Sequence, residues 1–253
     1  MTSYALRDSR TMLRRNLVHA LRYPGLSLST IMMPVIMLLI FAGLFGGTLG
    51  AGLGGGDYID YLAPGILVMA ATSGSISTAV SVAIDMKEGI INRFRTMAIS
   101  RSSVLIGHVV GSMIQTMISI VVVAGVAMLM GWRPSGGLVE WVAAAGMLVA
   151  VVFALTWMAA AMGIVAKSVE SASTLPLPVQ FLPMLGSGFV PTDSLPTVVR
   201  WFAEYQPFTP IIETVRGLLM DEPIGDNGLL AIGWCVVLSA LGFLWARSAF
   251  RKN

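Results

Sequence analysis

Few side chains in this sequence have the chemistry of a catalytic group: two histidines, His19 and His108, one cysteine, Cys235, and scattered serines. Set beside Ser187 in Gly186-Ser187-Gly188, His108 would complete a Ser/His dyad in which imidazole takes the hydroxyl proton. The spans derived below put His108 near one end of its helix and Ser187 near the opposite end of another. At about 1.5 Å of rise per residue that separates them by most of a membrane, so an intramembrane hydrolase is not expected. His108 is expected to be solvated at its helix end, and His19 to be a surface residue. Cys235 stands alone in an apolar run, which excludes a disulfide framework and a cysteine metal site. No Gly-x-x-x-x-Gly-Lys-Ser/Thr loop occurs, so the chain lacks that cradle for ATP phosphates. Glu213 and Arg216 are three residues apart, the spacing of an ion pair on one helix face.

The elements that would position these groups follow from composition. Apolar residues make up 56% of the chain and charged residues 11%, against about 25% charged in a soluble domain; mean hydropathy is +0.81. A spanning helix needs about 20 mostly apolar residues. Six runs meet or approach that length: 26–46, 61–84, 104–130, 138–165, 174–190 and 228–246. The fifth is short and carries Pro176, Pro178 and Pro183. It is expected to span as a kinked helix, with a partly re-entrant element as the alternative. The fold class is therefore an all-α polytopic membrane protein in a single domain, 1–253. No cleavable signal peptide is expected, because the first apolar run follows a long arginine-bearing segment.

Orientation follows from lysine and arginine. With the N-terminus inside, thirteen of the sixteen basic residues fall in cytoplasmic segments, and only Arg133, Arg200 and Arg216 fall outside. Both termini are expected in the cytoplasm.

Four stretches between or beside the spans carry pattern. Residues 1–25 predict an interfacial amphipathic helix, with Leu6, Leu13, Leu17 and Leu21 on one face and Arg7, Arg10 and Arg14 on another. Residues 47–57, rich in glycine, predict a flexible external loop. The cytoplasmic loop 85–103 mixes charge with Ile90, Ile91, Phe94, Met97 and Ile99; this suits a docking site for a cytoplasmic partner or a loop resting on headgroups. Residues 191–227 predict two short external helices, punctuated by Pro191, Pro196, Pro207, Pro210 and Pro223, with Glu213 and Arg216 paired in an outer gate.

Inside the spans, Ser73, Ser77 and Ser81 share a face with Gly74 and Thr78, and Gln115, Thr116 and Ser119 lie on the next span. Such faces pack helix on helix or line a route. Gly43/Gly47 and Gly107/Gly111 read as close-packing sites. Seventeen methionines, Met184 among them, fill a core or give a surface that adapts to varied apolar cargo. Ser73, Ser77, Gln115, Thr116 and Met184 are the candidate path. No charged residue is expected deep in any span, which argues against a proton-driven secondary exporter, the alternative reading.

The run Asn92-Arg-Phe-Arg-Thr-Met-Ala-Ile-Ser-Arg101, preceded by Asp85 and Gly89, resembles the cytoplasmic motif of ABC-2 type permeases, closest to their daunorubicin-resistance branch. Gly188-Phe-Val-Pro-Thr-Asp-Ser-Leu-Pro196 and Tyr205-Gln-Pro-Phe-Thr-Pro-Ile-Ile-Glu-Thr-Val-Arg-Gly-Leu-Leu219 resemble two further signatures of that branch. Ala98 and Gln206 depart from residues common there. The resemblance implies a type V exporter-like ABC-2 fold, with six spans, the interfacial helix and two short external re-entrant helices. It implies a partner ATPase that binds ATP and magnesium, no cofactor on this chain, and a second permease copy or paralogue. Nucleic acid is not an expected partner. The implied setting is a bacterial inner membrane, and the implied cargo an antibiotic, another hydrophobic drug or a lipid. Carried over by position, Glu88, Gly89, Arg93, Phe94 and Arg95 would couple the ATPase to the spans. Gly89 would allow the turn and Phe94 would be the apolar anchor.

Overall fold

In hydrocarbon a backbone has only itself to bond, so apolar runs of this length become helices. The computed structural model describes residues 24–52, 57–87 and 101–252. Among them α1 (Pro24–Leu38) continues through a π-helical turn (Leu39–Leu44) into the short α2 (Gly46–Gly52). Then come α3 (Tyr58–Lys87), α4 (Arg101–Leu129) and α5 (Leu138–Val165). Three short pieces follow: α6 (Val169–Thr174), α7 (Leu177–Phe181) and a 3-10 turn (Leu182–Leu185). A second 3-10 turn (Thr192–Ser194) leads to α8 (Thr197–Tyr205), α9 (Phe208–Met220) and α10 (Asn227–Lys252). Among the described residues four helices, α3, α4, α5 and α10, are long and apolar enough to cross a membrane. The chain is thus a multi-pass, all-helical membrane protein over its described residues.

The centre of the bundle is α3. It packs against α1, α4, α5, α6, α7 and α9, and nearly every residue from Tyr58 to Val82 is buried. Small residues let its neighbours approach, as expected where packing rather than water drives association. A Cβ on Gly163 of α5 would sit 2.5 Å from the Ala79 carbonyl of α3, and Gly74 of α3 abuts Thr116 of α4. Gly242 does the same service between α10 and α5, where a Cβ would meet the Met158 nitrogen at 2.7 Å. Gly107 and Gly111 are buried. Among the described residues, nothing lies within 4 Å of a Cβ built on Gly43 or Gly47, so neither makes a close contact there.

Three further expectations need correction. The fifth run is no continuous helix. Pro176 caps α7, Pro178 lies in its first turn, and Pro183 opens the following 3-10 turn. Each proline lacks the N–H that would continue the preceding ladder, so the chain restarts twice, at α7 and at the 3-10 turn. Yet the segment runs the length of α3: Ala172 packs with Val80 and Ala83, Gln180 reaches Ser73, and the Phe189 carbonyl reaches Tyr58. The glycine-rich stretch is helical over Gly46–Gly52, with Leu49 N–H bonded to the Phe45 carbonyl. Asp85, assigned to the loop, is a buried residue of α3.

The two helices expected in 191–227 are present, but they differ. In α8 only Ala203 is buried, and Val198, Trp201 and Tyr205 are exposed. By contrast α9 sinks Phe208, Ile211, Ile212, Val215 and Leu219 into the main core. The interfacial helix of 1–25 and the coupling residues Glu88, Gly89, Arg93, Phe94 and Arg95 lie outside the described residues, apart from Pro24 and the following residue.

Candidate functional site

The proline breaks free backbone carbonyls inside an apolar bundle, where each needs a donor. Side chains from α3 and from the α8–α9 region supply them. Gln206 Nε2 donates to the Leu182 carbonyl at 3.0 Å. Tyr58 Oη donates to the Phe189 carbonyl and Tyr61 Oη to the Ser187 carbonyl, each at 2.8 Å. Tyr58 and Tyr61 are three residues apart, so one face of α3 presents both hydroxyls to the same stretch. Gly65, one turn further on, lies against the Gly188 backbone with no room for a side chain.

Arg216 closes this site. It is 4% exposed. Nη2 donates to the Ser187 carbonyl at 2.7 Å, Nε to the Tyr61 carbonyl at 3.2 Å, and Nη1 to Glu213 Oε1 at 2.6 Å. Its guanidinium carbon lies 3.8 Å from the centre of the Tyr61 ring. Guanidinium holds a fixed fork of donors, so one residue of α9 fastens α3, the broken segment and its own helix together. The i,i+3 pairing of Glu213 with Arg216 is as the spacing predicts; the carbonyl bonds were not legible from spacing. Pro207 caps α9 and Pro210 is buried in its first turn.

Beside Arg216 opens a cavity of about 580 Å³ whose lining includes Asp57, Asp60, Asp193, Glu213 and Glu222. A second cavity, of about 900 Å³, lies between α5, α9 and α10. Phe153, Trp157 and Phe243 form edge-on ring pairs in its wall. Thr214 and Ser239 are polar lining residues, and none is charged.

The path candidates sit elsewhere. Ser73 donates to the Met69 carbonyl and accepts from Gln180, and Ser77 donates to the Gly74 carbonyl. Thr116 is buried against Gly74. Gln115 and Met184 are half-buried, and Met184 packs against the main core.

The far end of α3 holds a polar cluster that the sequence reading missed. His108 Nε2 lies 2.8 Å from Asp85 Oδ2, and Ser81 Oγ lies 3.5 Å from His108 Nδ1. His108 is 6% exposed and Asp85 8%, which corrects the expectation of a solvated histidine; Asp85 is buried near the end of α3 rather than deep within it. The i,i+4 spacing of Ser81 and Asp85, facing a histidine on the next helix, was the available signal. Ser, His and Asp are the types of a hydrolytic triad, but this set is enclosed by helices, and the Ser–His approach is long for a proton transfer. About 24 residues of α3 separate Asp85 from Tyr61, roughly 36 Å, so His108 and Ser187 do not meet.

The comparisons with known proteins agree with this architecture. Residues 7–220 match the family model described as ABC-2 type transporter. A daunorubicin resistance ABC transporter permease protein, DrrB1 of Streptomyces coeruleorubidus, is 26% identical over 91% of this chain and 80% of its own length. A probable doxorubicin resistance ABC transporter permease protein, DrrC of Mycobacterium tuberculosis, is 24% identical over 72% of this chain and 68% of its own. ABC transporter G family member 20 of Dictyostelium discoideum is 26% identical over 74% of this chain and 26% of its own. With helices through most of the described residues and the family model covering residues 7–220, this protein belongs to the ABC-2 type transporter family and is a membrane permease subunit.

Proposed function

We propose that this permease moves amphiphilic, largely apolar drug-like molecules out of a bacterial cell, driven by a separate ABC ATPase. The observation that carries the cargo class is the uncharged, aromatic-walled cavity of about 900 Å³ between α5, α9 and α10. Such a wall suits an apolar body with few polar groups and offers nothing to a sugar phosphate or small ion. The names of the two drug-resistance relatives support the same class.

In this reading the basic ends of the spans face the cytoplasm, and the broken segment beside α3 is a sixth crossing. ATP and magnesium bind the ATPase; this chain carries no nucleotide or cofactor. Glu88, Gly89, Arg93, Phe94 and Arg95 receive the ATPase stroke. A second permease copy or paralogue completes the pathway. Pro207, Pro210, Glu213 and Arg216 belong to the outer closure, and Ser73, Ser77, Gln115, Thr116 and Met184 to the route. A proton-driven exporter is the second reading, and the buried Asp85–His108 pair favours it.

Inverted vesicles containing the permease and its ATPase decide between them, with daunorubicin as the probe. Uptake that needs ATP and persists with a protonophore is expected. Uptake abolished by the protonophore with ATP present overturns the ATP-driven reading in favour of the second.

A further inference from the structure

We infer that Asp85 and His108 are a positioning pair that makes the facing ends of α3 and α4 move as one body when the loop between them is pushed. Residues 88–100 join the last residue of α3, Lys87, to the first of α4, Arg101. Asp85 stands two residues before Lys87 and His108 seven after Arg101. Their contact of 2.8 Å ties the two helices within one to two turns of both loop attachments, and Ser81 faces the other ring nitrogen.

The surroundings are what give the bond this role. Next to the pair, Val82 of α3 and Val109 of α4 join Trp157, Ala160, Ala161 and Ile164 of α5 and Ala246 and Ala249 of α10 in one apolar cluster. Apolar contacts of this kind hold the helices together but are non-directional. A short bond between a carboxylate and an imidazole is directional and has no water to replace it when both groups are buried. Sliding α3 past α4 would break this directional bond inside the bundle, so displacement of one helix end carries the other with it. The stroke then enters the bundle as a rigid-body motion rather than as a local bend.

This inference rests on the coupling role proposed for the loop, and the test separates the two. The full permease is co-expressed with its ATPase, and three quantities are read: ATPase co-purified, ATP hydrolysed, and daunorubicin accumulated in inverted vesicles. Asp85→Asn keeps the side-chain volume and a hydrogen bond, and His108→Gln keeps a polar partner. Both are expected to leave ATPase co-purification within about twofold, and to lower daunorubicin moved per ATP by about tenfold, within the range usual for coupling between sites. The exchange Asp85→His with His108→Asp is expected to recover most of that ratio. Wild-type transport per ATP in both single variants overturns the pairing role. Loss of co-purified ATPase and of permease yield together, unrestored by the exchange, overturns it in favour of a purely structural contact. Failure of the loop reading would appear separately, as normal ATPase co-purification in a Phe94→Ala permease.

Discussion

Arg216 of α9 lies over the ring of Tyr61 of α3 with its guanidinium carbon 3.8 Å from the ring centre, while the two side chains converge on one acceptor, the Ser187 carbonyl. A cation over an aromatic face gains from the ring quadrupole, more when desolvated. Here the same cation also supplies a donor that the proline-broken segment needs. The arrangement is therefore asymmetric: Arg216 serves three elements, whereas Glu213 serves Arg216.

That asymmetry sets the first prediction. Arg216→Ala leaves the Tyr61 carbonyl without this donor and Ser187 with one donor fewer, and is expected to cost roughly 2–5 kcal/mol of stability. Glu213→Gln, at a side chain about one-third exposed, keeps an oxygen that accepts from Arg216 and is expected to cost less, about 1–2 kcal/mol. Because a carboxylate cannot donate to carbonyls, adding Arg216→Glu to Glu213→Lys is expected not to restore export. Monodisperse protein surviving heating in detergent, with vesicle uptake alongside, checks both. Recovery of uptake by the double reversal would show that the pair acts through charge alone.

Tyr61→Phe and Tyr58→Phe remove single hydroxyls and little volume. Each is expected to destabilise by about 1–3 kcal/mol. The loss at Tyr58 is expected to be the larger, because the Ser187 carbonyl keeps Arg216. Equal heat resistance of both variants and wild type would mean that water takes over these carbonyls.

Gly65→Ala tests the backbone contact with Gly188. The obstacle is a carbonyl rather than a flexible side-chain end, so relief requires the segment to move. A cost of about 1–3 kcal/mol is expected, and more where the tyrosine bonds stretch with it. Gly43→Ala, with open space around it, is the matched control and is expected to behave as wild type.

Much of this fold is legible in the sequence because hydrocarbon permits so few backbone solutions. The run 138–165 is one helix from Leu138 to Val165, and the proline punctuation marks α8 and α9. What was hidden depends on contacts far apart in the chain. Nothing in the spacing of Pro176, Pro178 and Pro183 says that Tyr61 and Arg216, more than 100 residues apart, will share a carbonyl. Asp85 was misplaced because a carboxylate beside Lys87 resembles a solvated loop, and only the packing of α4 reveals its buried partner. Gly43 and Gly47 have the small-residue spacing of a helix contact, yet no atom of the described residues lies within 4 Å of a Cβ built on either.

The coupling loop gives a prediction of its own. Phe94→Ala is expected to leave the permease inserted and to weaken ATPase binding by about 1–4 kcal/mol, as truncating a buried aromatic anchor does. Co-purification of the ATPase at wild-type yield, with unchanged transport, refutes the role given to that residue.

Orientation is open to a direct chemical test. Cys235 is the single native thiol and is buried, so Cys235→Ala gives a silent background with minor loss of packing. Glu204 at the end of α8 and Lys167 between α5 and α6 are both exposed, and they lie towards opposite ends of α3. The Lys167 neighbourhood packs beside Ala83, whereas α8 leads into the Gln206–Leu182 contact and the Arg216 site. If the basic ends face the cytoplasm, a membrane-impermeant maleimide labels Glu204→Cys in intact cells. Lys167→Cys is then labelled only after permeabilisation. The reverse pattern inverts the bundle: the acidic cavity beside Arg216 would face the cytoplasm, and residues 88–100 could not meet a cytoplasmic ATPase.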